Sequence, residues 1–175
     1  MLDELDSGSS INMDPSNGTQ YVSPSTLWLW LFPATYLIHI AEEYWGGEGY
    51  SAYLFRLRGV HMSPARFLAV QLLGVALIVA GVILSQQFRF PRFMLAMLGA
   101  LVLSNGITHT VTAFRHGGYG PGLVTSMLIW IPLGLVTLFR LPGQMSTLRY
   151  VLGVTIGFAI NGLVALFTLR GGRLV

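Results

Sequence analysis

Long apolar runs alternate with short polar segments along most of the chain, and this pattern predicts membrane helices. A helix needs about 20 apolar residues to cross the core of a bilayer. Five runs reach that length and are separated by segments rich in Gly, Pro and Arg. The predicted spans are Thr26–Trp45, Phe67–Ser85, Phe93–Phe114, Gly122–Phe139 and Leu148–Leu169. The pattern therefore predicts an all-α polytopic membrane bundle of five transmembrane helices, formed by residues 24–175.

The N-terminal segment, residues 1–23, breaks this pattern. It contains four acidic residues, no basic residue, and many Ser, Asn and Gly. A segment of this kind buries too little apolar surface to offset the entropy lost on ordering. It also lacks the basic start and the apolar stretch of a signal peptide. Residues 1–23 are therefore predicted to be a disordered acidic tail.

Composition supports the membrane class and excludes several kinds of chemistry. The chain is 53% apolar and only 10% charged, whereas a soluble domain carries about 25% charged residues. It has no cysteine, and all ten basic residues are arginines. Disulfides, thiolate chemistry and catalytic lysines are thereby excluded. The arginines lie near the ends of the apolar runs, where they act as interfacial anchors, so we expect lipid and not nucleic acid as the partner.

The distribution of arginine predicts an orientation. With five spans, six arginines fall on the side of the first loop, the third loop and the C-terminus, and four fall on the other side. Cytoplasmic loops carry an excess of basic residues. The six-arginine side is therefore predicted to be cytoplasmic, which places the N-terminus outside.

The strongly polar residues within the predicted helices all fall in one half of the bilayer. They are His39, Glu42, Glu43, Gln71, Asn105, His109 and Asn161. At 100° per residue, the two glutamates and His39 share an arc of about 100°, and Asn105 and His109 share a similar arc with two threonines. Ionisable groups inside a membrane face the interior of the bundle. We therefore expect two polar stripes that face each other across a cavity.

Structural interpretations stand beside the functional one. The glutamates could form an interfacial cluster, His39 could be a satisfied core histidine, and Trp130 is assigned to the interfacial belt or to packing. Hydrogen bonds between membrane helices contribute only about 0.6 kcal/mol on average, so helix adhesion does not require this many polar groups. Tyr119, beside four glycines in "GGYGPG", is predicted to donate its hydroxyl into the cavity mouth. The alternative for that segment is a tight turn before the next helix.

Three short motifs occur in order along the chain: "HIAEE" (His39–Glu43), "NGITH" (Asn105–His109) and "YGPG" (Tyr119–Gly122). They resemble the HxxEE, NxxxH and YxPG signatures of the HxxEE-domain integral membrane proteins of prokaryotes. The resemblance extends from Thr26 to the C-terminus. It implies a multi-pass protein of a prokaryotic cell membrane in an uncharacterised family suspected of enzymatic activity. It therefore supports the choice of site residues more than any particular reaction.

Two chemistries fit the polar residues. His39, Glu43 and His109 form a two-histidine, one-carboxylate set suited to a divalent metal such as Zn²⁺ or Fe²⁺. Glu42 or Asn105 would then orient a ligand or serve as a base. Without a metal, the two glutamates and a histidine could move a proton on the substrate, since a buried glutamate can act as a general acid near neutral pH.

The predicted function is an enzyme of hydrolase or isomerase type that acts on a lipid-like or small apolar substrate. Its catalytic residues are predicted to be His39, Glu42, Glu43, Asn105, His109 and Tyr119. A proton-coupled transporter is one alternative, although the polar residues occupy one half of the bilayer and inverted repeats are not evident. A lipid- or pigment-binding subunit is another, although two carboxylates would then have no role.

Overall fold

A computed structural model of the chain describes residues 24–171, with side chains from residue 26 to residue 167. Within this range the fold is all-helical, as predicted, and no strand occurs. The six helices are α1 (Pro24–Trp45), α2 (Tyr50–Arg58), α3 (Pro64–Gln87), α4 (Pro91–Arg115), α5 (Leu123–Arg140) and α6 (Thr147–Gly171). The predicted N-terminal tail, residues 1–23, lies outside the described residues.

The prediction of five spanning helices is wrong. In the described part of the chain, four helices are long and apolar enough to cross a membrane: α3, α4, α5 and α6. The first predicted span forms a 22-residue helix, α1, so its length is sufficient and its composition is not. His39, Glu42 and Glu43 lower its hydropathy. The four qualifying helices indicate a multi-pass membrane protein, and the predicted orientation and prokaryotic origin stay predictions.

Helix α2 lies in the segment that was predicted to be the first loop, between the first two predicted spans. It has only nine residues and ends in two arginines, Arg56 and Arg58, so it gives no membrane-helix signal. Gly59 ends the helix in the left-handed conformation, with φ of 66°, and its backbone N–H donates to the carbonyl of Phe55. This C-terminal cap is favourable for glycine because glycine has no Cβ to clash there.

Helix α4 is the centre of the bundle and makes its most extensive contacts with α5 and α6. Small residues allow these helices to approach closely. A Cβ added at Gly153 of α6 would lie 2.9 Å from the Cβ of Ala96, and one added at Gly157 would meet the backbone oxygen of Met97. Two glycines four residues apart form the GxxxG pattern common at helix contacts in membranes. The same holds in α5 for Gly134, where an added Cβ would lie 2.7 Å from the Cβ of Leu103.

Candidate functional site

Three acid–base side chains meet between α1 and α4. His39 and Glu43 lie one turn apart on α1, and both are buried, with 0% and 3% of their surface exposed. The Oε1 atom of Glu43 lies 3.8 Å from Nε2 of His39 and 3.3 Å from Nε2 of His109. One ligand atom from each of the three residues lies within 4.8 Å of the other two. The predicted two-histidine, one-carboxylate set is therefore brought together.

The hydrogen bonds of His39 assign its tautomer. Its Nδ1 lies 2.6 Å from Oγ1 of Thr125, and that hydroxyl lies 2.5 Å from Oε2 of Glu42. The carboxylate can only accept, so the threonine donates its one proton to Glu42 and accepts the N–H of His39. The proton of the neutral imidazole is thus on Nδ1. Nε2 then presents a lone pair, and it has no hydrogen-bond partner among the described residues.

His109 is oriented in the same way by a different acceptor. Its Nδ1 lies 2.9 Å from the backbone oxygen of Pro121. A carbonyl oxygen cannot donate, so Nδ1 must carry the proton. The Nε2 atom of His109 therefore also presents a lone pair toward Glu43. A histidine whose second ring nitrogen donates to a carbonyl or carboxylate is the usual arrangement of a metal ligand.

Glu43 is fixed from its other side. The amide of Gln71 on α3 donates to Oε2 of Glu43 at 2.5 Å, and the hydroxyl of Tyr36 donates to the amide oxygen of Gln71 at 2.6 Å. This leaves Oε1 of Glu43 for the two histidines. Gln71 was identified from sequence only as a polar residue at the right level of the bilayer, and Tyr36 was not identified.

Glu42 has a different task from Glu43, although the two are adjacent. Its carboxylate accepts hydrogen bonds from the backbone N–H groups of Val124 and Thr125, at 2.8 and 2.7 Å, and from the hydroxyl of Tyr119 at 2.9 Å. Together with the Thr125 hydroxyl, these are four donors from one segment. Glu42 therefore ties residues 119–125 to the end of α1 and orients His39 through Thr125, outside the three-residue cluster.

The YGPG segment is the piece that joins the other two motifs. Tyr119 bonds to Glu42, and the Pro121 carbonyl bonds to His109. Gly122 has φ of 84°, and a Cβ there would lie 2.7 Å from the ring of His39 and 3.0 Å from that of His109. Both the backbone conformation and the space therefore require glycine. The alternative of a tight turn before α5 is correct as a description of the backbone, but the turn also holds both histidines.

Trp130 contacts His39 directly. The two rings are stacked, with centroids 3.7 Å apart and planes at 25°. A five-residue π-helical turn, Ser126–Trp130, interrupts α5 and sets where Trp130 lies. Short π-helical turns inside α-helices occur frequently at functional sites. The assignment of Trp130 to the interfacial belt or to packing did not include this contact with the site, and the sequence gives no periodicity signal for a π-turn.

A cavity of about 210 Å³ reaches the cluster from one side. Glu43 and His109 line it, whereas His39 lies behind them and does not. The polar stripe predicted on α4 also lines it: Asn105, Thr108, His109 and Thr112. The remaining walls are mainly apolar and come from α2, α3 and α6. The cluster is therefore buried but accessible to a small molecule through Glu43 and His109.

Of the predicted site residues, Tyr119 differs from its predicted placement. Its hydroxyl donates to Glu42, and not into the cavity, and 43% of the side chain is exposed. Asn105 lines the cavity, as predicted, and its side chain makes no hydrogen bond to a described residue. Desolvation, followed by the hydrogen bond to Glu42, raises the pKa of Tyr119 to about 12, so its hydroxyl stays a donor at neutral pH. Neither residue's predicted catalytic role is tested by this geometry.

The family model of the "protein of unknown function with HXXEE motif" matches residues 30–137. That range is more than half of the chain, and it contains the whole network from His39 to Trp130, so the chain belongs to this family. No curated protein and no solved structure matches it.

Proposed function

We propose that this HXXEE-family chain is an integral membrane enzyme whose centre is a divalent metal ion held by His39, Glu43 and His109. One observation carries the proposal. Two imidazole nitrogens with free lone pairs and one carboxylate oxygen lie within 4.8 Å of one another. The Pro121 carbonyl, which cannot donate, sets the tautomer of His109, and the Thr125 hydroxyl, whose proton goes to Glu42, sets that of His39. Three convergent acceptors repel one another unless a cation lies between them.

The spacing supports a metal ion as that cation. Zinc lies about 2.0–2.1 Å from histidine nitrogen in tetrahedral sites, which separates neighbouring ligand atoms by roughly 3.3 Å. The pair formed by Glu43 and His109 is already at 3.3 Å, and the pair formed by Glu43 and His39 is at 3.8 Å. The three ligand atoms lie within 4.8 Å of one another, so an inward shift of His39 toward both Glu43 and His109 would complete the set. Two nitrogens and one oxygen are typical of catalytic zinc and of non-haem iron sites, which keep a position open.

The chain's own groups then divide the remaining work. A divalent ion at this point supplies Lewis-acid chemistry to whatever the cavity holds. Gln71 keeps Glu43 in place, while Thr125 and Pro121 keep the two histidines in the tautomers that can bind metal. Asn105, on the cavity wall one turn before His109, is placed to orient the substrate. Since Glu42 is occupied by four donors, its role is to position and not to exchange protons with the substrate.

A second candidate uses the same residues without metal. A proton on Glu43 would be donated to one of the two free imidazole nitrogens, that of His109, because Oε1 lies 3.3 Å from His109 Nε2, within reach of a proton transfer after a small adjustment. Glu43 and His109 would then exchange a proton with the substrate as a general acid and base, as in an isomerisation.

Metal content decides between the two candidates. The full chain is expressed in medium with added zinc and iron, purified in detergent, and assayed by elemental mass spectrometry. We expect about one divalent ion per chain, and at least a tenfold lower content for His39→Ala and His109→Ala. His116→Ala, an exposed loop histidine, is the matched control and should retain the ion. A folded wild-type chain without metal would contradict the metal centre and leave the acid–base candidate.

A further inference from the structure

The residues that line the cavity leading to the cluster are of two chemical kinds. Apolar side chains come from α2, α3 and α6, among them Leu57, Phe67 and Val70. Polar side chains line the same cavity: Arg58, Asn105 and Asn161. A cavity for a purely apolar ligand needs none of these three polar side chains, so their presence requires an explanation of its own.

The three polar side chains share one property. In the described part of the chain, none of them makes a hydrogen bond or an ion pair with another residue. Their free groups include the five N–H donors of the Arg58 guanidinium and the two of each amide. Glu43 is the one carboxylate among the described residues that line the cavity. Its oxygens already face Gln71 and the two histidines. The unpaired hydrogen-bonding groups of these three side chains are therefore mainly donors, and together they carry a positive charge.

Two of the residues that line the cavity are also exposed on the outer surface of candidate membrane helices. Val70 of α3 and Val164 of α6 line it and are themselves 37% and 51% exposed. Both belong to helices that are apolar enough to cross a membrane, and most of the surface of such helices contacts lipid. An apolar chain can therefore leave the cavity between α3 and α6 without meeting water.

Building on the proposed function, we propose that the substrate is a single-chain amphiphile with an oxyanion head, such as a phosphate or a carboxylate. The head binds to Arg58 and the two asparagines, next to Glu43 and His109. The chain extends past Val70 and Val164 into the bilayer. A volume of about 210 Å³ is below the 300–1,000 Å³ typical of whole drug-sized ligands. It accommodates a head and the first few carbons, and the rest of the chain remains in lipid.

Binding measured on the full chain tests this assignment independently of turnover. The chain is placed in nanodiscs of neutral phosphatidylcholine and titrated with decyl phosphate, decanol and inorganic phosphate, with protein-free nanodiscs as the blank. We expect decyl phosphate to bind at least about tenfold more tightly than decanol, because its charged head gains hydrogen bonds that a neutral hydroxyl makes only weakly. Inorganic phosphate alone should bind more weakly than decyl phosphate. Equal affinity for the two phosphates would overturn the amphiphile assignment in favour of a free-anion site.

Two pairs of variants locate the contacts. Arg58→Gln should abolish the preference for decyl phosphate, and Arg58→Lys should retain part of it. Arg56→Gln removes the same charge from the same short helix, but Arg56 does not line the cavity, so the preference should persist. Val70→Trp should block the opening and weaken decyl phosphate binding, whereas Ile83→Trp, an exposed position elsewhere on α3, should not. Equal effects of Arg58→Gln and Arg56→Gln would contradict the proposal, and so would equal effects of Val70→Trp and Ile83→Trp.

The metal and anion proposals can fail separately. Elemental analysis of the same samples reports the metal content. A chain that holds its metal but shows no preference for the oxyanion head overturns this inference and leaves the metal centre intact. A chain without metal that still prefers decyl phosphate in an Arg58-dependent manner keeps the substrate assignment and overturns the metal centre.

Discussion

The two halves of α1 are equally buried but are built on different principles. The first half buries Leu29 and Phe32, with 0% and 1% of their surface exposed, and the second half buries His39 and Glu43, with 0% and 3% exposed. The first pair joins an apolar core with α3, α4 and α5. The second pair joins a network of hydrogen bonds that fixes Nδ1 of both histidines and Oε2 of Glu43 and leaves three acceptor atoms facing one another. Burial alone therefore does not separate the scaffold of this protein from its site.

The two halves of α1 should differ in the substitutions that each tolerates. Apolar contacts have no direction, so volume and close approach decide whether the core half packs. Hydrogen bonds have direction, so the site half depends on which atom faces which. Changes in the core half should thus alter stability and spare metal binding, while changes in the cluster should do the opposite. Glu42 belongs to both categories, because it holds a loop and also orients His39.

The largest loss of stability is expected from Gly157→Leu in α6. Its new Cβ would meet the backbone of Met97, which cannot move aside as a side chain can, so the expected cost is about 3 kcal/mol or more. Unfolding in detergent, followed by circular dichroism, measures it. Gly162→Leu on the same helix is the control, because nothing lies within 4 Å of its Cβ position. Similar losses of stability in both variants would mean that the close contact between α4 and α6 at Gly157 does not stabilise the bundle.

Glu42→Ala should come next, with a cost of about 2–3 kcal/mol. It leaves the N–H groups of Val124 and Thr125 without their acceptor, and unpaired buried donors cost about 1–3 kcal/mol each, less where water reaches them. It also frees the hydroxyl that orients His39, so metal affinity should fall about 10- to 100-fold. The same unfolding and metal assays report both effects. Glu48→Ala, which removes an exposed carboxylate paired with Arg56, should change neither. A variant that loses stability but retains full metal affinity would rule out the link through Thr125.

Tyr119→Phe should have a smaller effect, below about 1 kcal/mol. It removes one of four donors to Glu42, and water can replace it because the side chain is partly exposed. The pKa of this tyrosine in the folded chain, about 12, is above the value of about 10 in the unfolded chain. Its stabilising contribution is therefore fully present below pH 10 and is lost only as the pH rises toward 12. The difference between wild type and variant should be constant from pH 7 to pH 9, and a strong pH dependence in that range would argue against a neutral donor. Tyr44→Phe serves as the control.

Much of the site could be predicted from sequence because membrane helices have a regular geometry. The arc shared by Asn105, Thr108, His109 and Thr112 correctly identified the cavity wall on α4, and the low dielectric of a bilayer makes inward-facing ionisable groups a strong expectation. The three motifs also identified the chain segments that meet at the site. These inferences needed only helical periodicity and the cost of burying charge.

The remaining parts depend on local geometry that periodicity does not encode. The separate roles of Glu42 and Glu43 depend on where residues 119–125 return to α1. The contact of Trp130 with His39 depends on a π-helical turn. Helix α2 is too short to give a membrane signal, and α1 was counted as a span because its length hid the effect of its polar residues. The first two misses concern positions set by tertiary contacts, whereas the last two concern the length and the composition of a helix.

Glu43→Gln should have the smallest effect on stability and yet eliminate metal binding. The glutamine is nearly the same size, and its amide oxygen can still accept from Gln71. It also removes a buried carboxylate, whose desolvation opposes folding, so the free energy of unfolding should be equal or slightly higher. A neutral amide is a poor ligand for Zn²⁺ or Fe²⁺, so metal content should fall at least tenfold, and activity with it. Glu48→Gln should leave both unchanged.

His109→Ala should likewise lose metal and activity at equal or slightly higher stability. If both variants were instead clearly destabilised, the cluster would be a structural network like the one Glu42 forms, and the contrast between the two halves of α1 would be one of bonding only, without a catalytic centre.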